Sequence, residues 1–363
     1  MKIIDLLHRW TGGLIGLLLA VLGLSGAILV HKDAWIMLPH ADDAQVQDVA
    51  QLSATVTRLI ADPQTRLDSI LFASPGFGLD RLRFGKEAGA YTDQAGVVVT
   101  RWDSKWDRVE LWLFDLHHYL LVGKPGATVA GVLALVGMCF VVTGAILWWP
   151  LRKTFKLRPW PTRMSRPAIV RQHRDLGIVM APVLFLSLLT GVMMTLRPVS
   201  NLLLSPWSSS EVMEASTAKP QVKGRALAGR LDWLSILTQA RRHFPTAEFR
   251  LLTLPSKPGD LISLRMKQPQ EWLPNGRTML WFAPEDGRLI EARDATKLPL
   301  GTRIFNLVYP VHAAKVGGIA YRIVMTASGL SLAMLGSLSV WAFWFWRKPL
   351  RQPGYVAVAE TQT

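Results

Sequence analysis

The stretch HRWTGGLIGLLLAVLGLSGAILVHKD, residues 8–33, decides the fold, because its apolar interior is long enough to cross a membrane. A spanning helix needs about 20 apolar residues to cross a bilayer core about 30 Å thick. The stretch is longer than the core of a secretion signal and has no clear small-x-small cleavage site, which predicts a retained span. A histidine stands near each of its ends, His8 and His31.

Three further stretches share this length and composition, and no charged residue interrupts any of the four. The predicted spans are Thr11–Val30, Val129–Trp149, Leu176–Leu196 and Ile323–Trp346. Half of the 363 residues are hydrophobic and 15 are Trp, and their uneven distribution is untypical of a soluble domain. The fold class that follows is an α-helical membrane protein with four transmembrane helices.

The connection between the second and third spans predicts the orientation. Residues 150–174 carry eight Lys or Arg and no Asp or Glu, and short basic loops of this kind lie in the cytoplasm. The flank WRKPLRQ agrees, so both termini are predicted to be cytoplasmic and both long loops periplasmic. The formal net charge of +15 then reflects membrane topology, with membrane lipid as the contact and no nucleic acid as partner.

Two halves of the chain repeat one plan. The second copy, HRDLGIVMAPVLFLSLLTGVMMTLRP, begins at His173, and in both copies glycines follow the histidine after 4 and 18 residues. Each long loop contains an amphipathic helical stretch and then alternating segments separated by a turn, DQAG or PEDG. The chain is therefore predicted to be a duplicated two-helix unit with two small periplasmic α+β modules. The predicted boundaries are 1–30 for the N-terminus and first span, 31–127 for module 1, 128–149 for the second span, 150–175 for the basic cytoplasmic loop, 176–196 for the third span, 197–318 for module 2, 319–346 for the fourth span and 347–363 for a cytoplasmic tail.

Six of the eight histidines fall at the ends of spans. Those predicted at the cytoplasmic edge are His8 and His173, and those at the outer edge are His31, His117, His118 and His312. A single histidine at a membrane boundary is usually an anchor. Matched positions in a duplicated unit favour a functional role.

Two imidazoles at each face match the axial ligands of haem b, which otherwise needs only an apolar slot between helices. Zinc would require further ligands nearby, and a proton relay would require carboxylates within the spans. The symmetric assignment is an inner haem between His8 and His173 and an outer haem between His117 and His312. Two imidazole ligands leave the iron without an open position, which predicts electron transfer.

The outer ligand pair leaves alternatives open. His31 is a rival outer ligand, and His118 is a rival to His117, because adjacent helical residues point about 100° apart and only one is expected to ligate.

Other residues also allow two interpretations. Small residues within the spans would permit the close approach of either a macrocycle or another helix: Gly12, Gly16, Gly23, Gly26, Gly144 and Gly191. Basic residues beside the histidines suit either haem propionates or the positive-inside rule: Arg9, Arg171, Arg174, Lys315 and Arg322. Module tryptophans suit either substrate contact or an ordinary core: Trp102, Trp106, Trp112, Trp272 and Trp281.

Four segments resemble the PepSY-associated transmembrane proteins: LHRWTGG…LSGAILVHKD, DLHHYLLVG…VVTGAILWWPLRK, QHRDLGI…LLTGVMMTLRP and YPVHAAKVGG. The resemblance covers nearly the whole chain. The family includes iron-regulated proteins of the bacterial inner membrane that reduce ferric siderophores, and it implies b-type haem within the bilayer. His8, His117, His173 and His312 match the family's recurrent histidine before each span, and His31 matches one after the first span. The fourth span departs, since Ser-Leu-Ser replaces the Ser-Gly or Thr-Gly of the other spans.

The resemblance therefore implies a haem-containing reductase that passes electrons across the membrane to ferric siderophore and so releases iron. Siderophores hold Fe(III) through hard oxygen donors, and one added electron weakens that hold. The sequence has no phosphate-binding glycine motif, so the electron donor is expected to be membrane quinol or a separate reductase. The alternative is a PepSY-type binding or regulatory membrane protein without redox activity. A transporter is disfavoured because the spans lack internal charges and broken segments.

Overall fold

The computed structural model describes residues 1–62, 66–220, 222, 227–257 and 259–345. The helices are α1 Lys2–Leu29, α2 Lys32–Trp35, α3 Val49–Ala61, α4 Val109–Tyr119, α5 Lys124–Trp148, α6 Arg166–Thr195, α7 Arg197–Leu204, α8 Ser210–Thr217, α9 Trp233–His243, α10 Leu300–His312 and α11 Gly318–Trp344. The strands are β1 Ser69–Leu71, β2 Asp80–Phe84, β3 Ala88–Thr92, β4 Val98–Trp102, β5 Glu248–Thr253, β6 Ile262–Lys267, β7 Thr278–Phe282 and β8 Leu289–Arg293.

Four helices, α1, α5, α6 and α11, are long and apolar enough to cross a membrane, which confirms the predicted four-span fold. The α6 helix begins at Arg166, so the last part of the expected loop 150–175 is helical. Pro167 occupies the first helical turn, where its missing N–H costs no hydrogen bond, and this explains the early start. The predicted end of the fourth span at Trp346 and the tail 347–363 lie outside the described residues.

The four long helices form a ring in which α1 contacts α5 and α11, and α6 contacts the same two helices from the other side. The backbones of α1 and α11 approach closely. A Cβ on Gly23 would lie 2.6 Å from the carbonyl oxygen of Gly329, and a Cβ on Gly16 would lie 2.8 Å from that of Gly336. Small residues permit this approach and supply van der Waals packing within a bilayer. Gly16 and Gly23 therefore serve helix packing.

The two predicted modules share one eight-stranded antiparallel sheet, in the order β4-β3-β2-β1-β5-β6-β7-β8. The strands β1 and β5 join the halves, with Ile70 opposite Leu252. The helices α3 and α9 pack together over a core that includes Val56, Leu237 and Leu264. Alternating sequence predicted the hairpins β3–β4 and β7–β8 but not this junction, which removes an exposed strand edge from each half.

The sheet domain lies at the end of the bundle where α1 and α6 terminate, and α4 and α10 link it back to the spans. We call this end the sheet side. The opposite end, where residues 149–165 connect α5 to α6, is the loop side. Trp102 and Trp281 are buried in the sheet domain, whereas more than half of Trp106 and of Trp272 is exposed.

Candidate functional site

The loop-side pair consists of His8 on α1 and His173 on α6, the two histidines that the duplication matches. Their ring centroids lie 6.2 Å apart, and their ring planes stand at 89° to each other. The ring of Phe140 on α5 packs against His8 with a centroid distance of 5.2 Å. One histidine from each half of the chain therefore faces the other within the bundle.

The sheet-side pair consists of His117 and His312, which occupy the last turns of α4 and α10. Their ring centroids lie 6.1 Å apart, with 43° between the ring planes. Hydrogen bonds to Ser25 on α1 and Thr190 on α6 fix the position of these rings along the bundle axis. The structure thus brings together the same two residues that the symmetric assignment places at the outer edge.

Each of the four imidazoles has its Nδ1 atom beside a Ser or Thr hydroxyl on a neighbouring helix. The Nδ1–Oγ distances are 2.8 Å from His8 to Thr143, 3.0 Å from His117 to Ser25, 3.1 Å from His173 to Ser339 and 3.0 Å from His312 to Thr190. The four hydroxyls come from the four long helices, one from each. No motif in the sequence marks these hydroxyls as partners of histidine, although three of them belong to the Ser-Gly and Thr-Gly dipeptides of the repeat.

The hydrogens of these hydroxyls already take part in hydrogen bonds to the backbone. Each hydroxyl donates to the carbonyl oxygen four residues earlier in its own helix, at 2.7 or 2.8 Å. A hydroxyl whose hydrogen points to a carbonyl can only accept from the imidazole, so Nδ1 carries the proton in all four rings. Each neutral ring is then left with a bare Nε2 lone pair, the form in which histidine binds a metal ion.

Three glycines follow these hydroxyl residues and lie against the rings. A Cβ on Gly26 would lie 2.9 Å from Cε1 of His117, and a Cβ on Gly191 would lie 3.4 Å from Cε1 of His312. On α5, a Cβ on Gly144 would lie 3.6 Å from the His8 ring. In α11 a valine takes this position after Ser339, and the hydroxyl still bonds to its imidazole. The departure in the fourth span therefore leaves the hydrogen bond intact.

Two further glycines leave open space beside the loop-side pair. Gly12 lies one helical turn after His8, and Gly177 lies one turn after His173. A Cβ built on either glycine would have no neighbouring atom within 4 Å. The spacing of four residues in both copies thus corresponds to a matched pair of gaps along α1 and α6.

The rival histidines lie outside the sheet-side pair. The Nε2 atom of His31 is 2.8 Å from the Thr326 hydroxyl, which itself donates to the carbonyl of Arg322. His31 therefore donates through Nε2, the nitrogen that the other four histidines leave bare. His118 instead stacks on Phe114, with ring centroids 5.6 Å apart.

Three of the basic residues beside the histidines pair with carboxylates, the first being Arg9, which lies 3.5 Å from Asp5. The Nζ atom of Lys315 is 2.6 Å from Asp33, and Nε of Arg174 is 2.7 Å from Asp175. Arg158 also pairs with Asp175, which is fully buried on α6. Asp175 was not predicted from the sequence because it directly precedes an apolar stretch. A single acidic residue after a long basic run was the available indication.

The protein supplies its imidazoles as pairs. Within the described ranges, no group of three or more His, Cys, Asp or Glu side chains is arranged to hold a metal ion. A metal ion between either pair of histidines would therefore need its remaining ligands from another molecule.

These features define a class: a four-span membrane protein with an attached sheet domain and one histidine pair at each end of its bundle. The chain belongs to the family of PepSY-associated TM regions, whose model matches residues 6–348. The match confirms the family indicated by the four sequence segments, and it supports a location in a membrane. No curated protein matches the chain at a significant level.

Proposed function

We propose that the protein is a haem-containing reductase of the bacterial inner membrane that passes electrons across the bilayer to ferric siderophores in the periplasm. The observation that carries the proposal is the presence of two facing imidazole pairs, one at each end of the bundle. The hydrogen bonds at Nδ1 leave all four Nε2 atoms available for iron. The basic connection 150–174 supports a cytoplasmic loop side, and hence a periplasmic sheet side.

The distances within both pairs fit two imidazoles that would hold one iron. Metal–imidazole bonds are about 2 Å long, so two rings on opposite sides of one ion have centroids roughly 6 Å apart. The observed separations are 6.2 Å and 6.1 Å. The gaps beside Gly12 and Gly177 offer room for a flat macrocycle on the loop side. The residues therefore fit haem b, whose porphyrin nitrogens would complete the coordination.

Bound haem b would supply a one-electron redox couple, held by His8 and His173 on the loop side and by His117 and His312 on the sheet side. The hydroxyls of the four long helices would orient the ligand rings, and the apolar helices would exclude water. Ser25 follows His8 by 17 residues on α1, and Thr190 follows His173 by 17 residues on α6. The two pairs are therefore separated by roughly 25 Å along the bundle, which covers most of a bilayer core about 30 Å thick.

The proposed reaction uses one electron for each ferric ion. The chelate changes from Fe(III) to Fe(II), which the hard oxygen donors of a siderophore hold more weakly. The donor would be membrane quinol or a separate reductase. Oxidation of one quinol to quinone releases two protons and supplies electrons for two ferric ions.

A reduced-minus-oxidised absorption spectrum of the detergent-purified protein tests the cofactor. We expect a b-type spectrum and about two haems per chain when the protein is made with ample haem. Protein without haem bands under these conditions would contradict the proposal and favour a binding or regulatory role for the sheet domain.

Stopped-flow mixing tests the reaction itself. Protein reduced with dithionite, and then freed of it, should reoxidise when mixed anaerobically with a ferric siderophore. The gallium(III) complex of the same siderophore is the control, because it has the same shape but accepts no electron. Haem that stays reduced with every ferric chelate would contradict the reductase assignment.

A further inference from the structure

A cavity of about 370 Å³ lies between the sheet and the helix that carries His312. Arg265 on β6 and Arg277, just before β7, line it from the sheet. Phe305 and Tyr309 line it from α10. The cavity therefore has cationic groups on one side and aromatic rings on the other.

This cavity adjoins the sheet-side histidine pair. Tyr309 lies about one helical turn before His312 on α10, and Met194, which also lines the cavity, lies about one turn after Thr190 on α6. The helices that position the His312 ring thus also form a wall of the cavity. A ligand held there would lie beside the turn of α10 that precedes His312.

The Nε atoms of the two arginines depart from the rule that buried polar atoms are hydrogen-bonded. The Nε atom of each is buried and has no hydrogen-bond partner in the part of the chain that the structure describes. Burial, and then the positive charge of Arg277, lowers the pKa of Arg265 to about 10. The negative charge of Glu271 favours the charged form of both arginines. Its oxygens, however, already accept hydrogen bonds from the backbone N–H groups of Gln268 and Arg277 and from the Thr278 hydroxyl. Two guanidinium groups therefore lie near one carboxylate whose oxygens already accept hydrogen bonds from neighbouring residues.

A third arginine extends this positive region toward the junction of the two halves. Arg250 on β5 is 3% exposed and donates from Nη2 to the Asn275 amide oxygen at 3.3 Å, and Asn275 lines the cavity. Arg250 also donates to the carbonyl of Ala73, across the junction of β1 and β5. The register shifts between Phe249 and Leu251, and such bulges re-aim a side chain. The Arg250 Nε atom also has no partner among the described residues.

We propose that this cavity binds ferric chelates through free carboxylate groups of the chelator, with Arg265 and Arg277 as the binding residues. Guanidinium groups form paired hydrogen bonds with carboxylates, and an anion between two arginines relieves their mutual repulsion. Ligand cavities measure about 300 to 1,000 Å³, so this one suits a small citrate-type chelate better than a bulky trihydroxamate. The inference rests on the proposed reductase function and names its substrate class: ferric complexes of hydroxycarboxylates, in preference to neutral hydroxamate complexes.

Calorimetric titration of the full-length protein in detergent with gallium(III) citrate tests the binding without any redox step. We expect saturable binding that weakens as salt is added. The variants Arg265→Gln and Arg277→Gln should each weaken it about 10- to 100-fold, because each removes charged hydrogen bonds to the ligand. The control is Arg288→Gln, which removes the same charge from a side chain that is 68% exposed. It should leave the affinity unchanged.

A second variant tests the cavity without changing the arginines, so the test does not depend on whether the arginine variants fold. Asn306→Trp fills the cavity from α10 and keeps every charge, so it should also abolish binding. Three results would overturn the assignment: no binding of gallium citrate, equal weakening by Arg288→Gln, or equal affinity for a neutral gallium trihydroxamate. If citrate fails to bind while a ferric trihydroxamate still reoxidises the haem, the substrate class is wrong and the reductase function stands. Gallium citrate binding by protein without haem bands would overturn the reductase and, with it, the substrate.

Discussion

The loop-side and sheet-side pairs each consist of two imidazoles, but different elements of the fold carry them. His8 and His173 both belong to long spans, so the loop-side pair is part of the bundle itself. His117 and His312 end short helices that connect the bundle to the sheet domain. Each half of the chain gives one histidine to each pair, so neither half can build a complete pair alone. The duplicated halves therefore form their sites at their interface, as in many membrane proteins built from repeats.

The surroundings of the rings differ in two ways. Among the described residues, the Nδ1 proton of His8 has one acceptor, the Thr143 hydroxyl, whereas that of His312 has two, the Thr190 hydroxyl and the Ser187 carbonyl, each at 3.0 Å. Open space lies beside the glycines of the loop-side pair, and an arginine-lined cavity adjoins the sheet-side pair. We infer that the loop-side pair is an internal relay and that the sheet-side pair is the one coupled to substrate.

The largest expected effect separates the two pairs by removing one ligand from each. His173→Ala and His312→Ala should each lower the haem content from about two per chain to about one. Only His173→Ala, which keeps the sheet-side centre, should still be reoxidised by a ferric chelate after dithionite reduction. Haem quantification and stopped-flow spectra check both results. His40→Ala is the control, because His40 belongs to neither pair and bonds to Asp43 instead. Loss of the same centre in both variants would refute the pairing.

Filling the open space should affect the loop side alone. Gly177→Leu places a side chain where nothing lies within 4 Å, and it raises helix propensity, so the helix itself should not be weakened. We expect loss of about one haem per chain, with the sheet-side spectrum retained. Val179→Leu enlarges a neighbouring exposed side chain of α6 and should leave both haems in place. Two retained haems in Gly177→Leu would show that the gap is not used by a cofactor.

Removing hydroxyls should weaken the loop side more than the sheet side. Thr143→Val deletes the one Nδ1 acceptor that His8 has within the described ranges, and loss of such partners weakens metal binding about 10- to 100-fold. Thr190→Val should cost less, because the Ser187 carbonyl still accepts from His312. Rates of haem loss to a haem-scavenging protein measure the difference. Thr143→Ser keeps the hydroxyl and should resemble the parent. Equal losses in the two valine variants would contradict the proposed difference.

The sequence predicted what depends on local composition. Apolar length predicted the four spans, and the repeat of His-Arg with glycines after 4 and 18 residues predicted the duplication. It did not predict that the two glycines differ in role: Gly12 borders open space, whereas Gly26 touches the ring of His117 in the other pair. That distinction depends on which helices become neighbours, and the spacing within one helix does not contain this information.

Features that depend on distant pairing were also absent from the sequence pattern. The union of the two halves through β1 and β5 depends on hydrogen bonds between segments far apart in the chain. The arginine cavity forms only where residues of β6 and of the segment before β7 come together with residues of α6 and α10. Arg265 and Arg277 look like ordinary alternating or loop residues until those contacts form.

The smallest expected effect is a pH dependence confined to the sheet domain. Asp80 on β2 is 1% exposed; its Oδ1 accepts from the Ala73 N–H at 2.7 Å, and its Oδ2 has no partner among the described residues. Burial raises the pKa of Asp80 to about 7, although the Ala73 N–H and the charge of Arg250 act to lower it. An unfolded Asp has a pKa of about 4, so the folded state binds this proton more tightly. The contribution to stability is complete below about pH 4 and is lost as the pH rises through about 7.

We therefore expect the melting temperature of the sheet domain to fall by a few degrees between pH 5 and pH 8. Asp80→Asn carries no charge at either pH and should show a smaller fall, whereas Asp286→Asn, at an exposed turn, should follow the parent. Fluorescence-detected melting at several pH values measures the three slopes. The loop-side haem spectrum should not change over this range, because Asp80 lies in the sheet domain. Identical slopes for Asp80→Asn and the parent would mean that the carboxylate is already charged in the folded protein at pH 5, with Arg250 offsetting the cost of its burial.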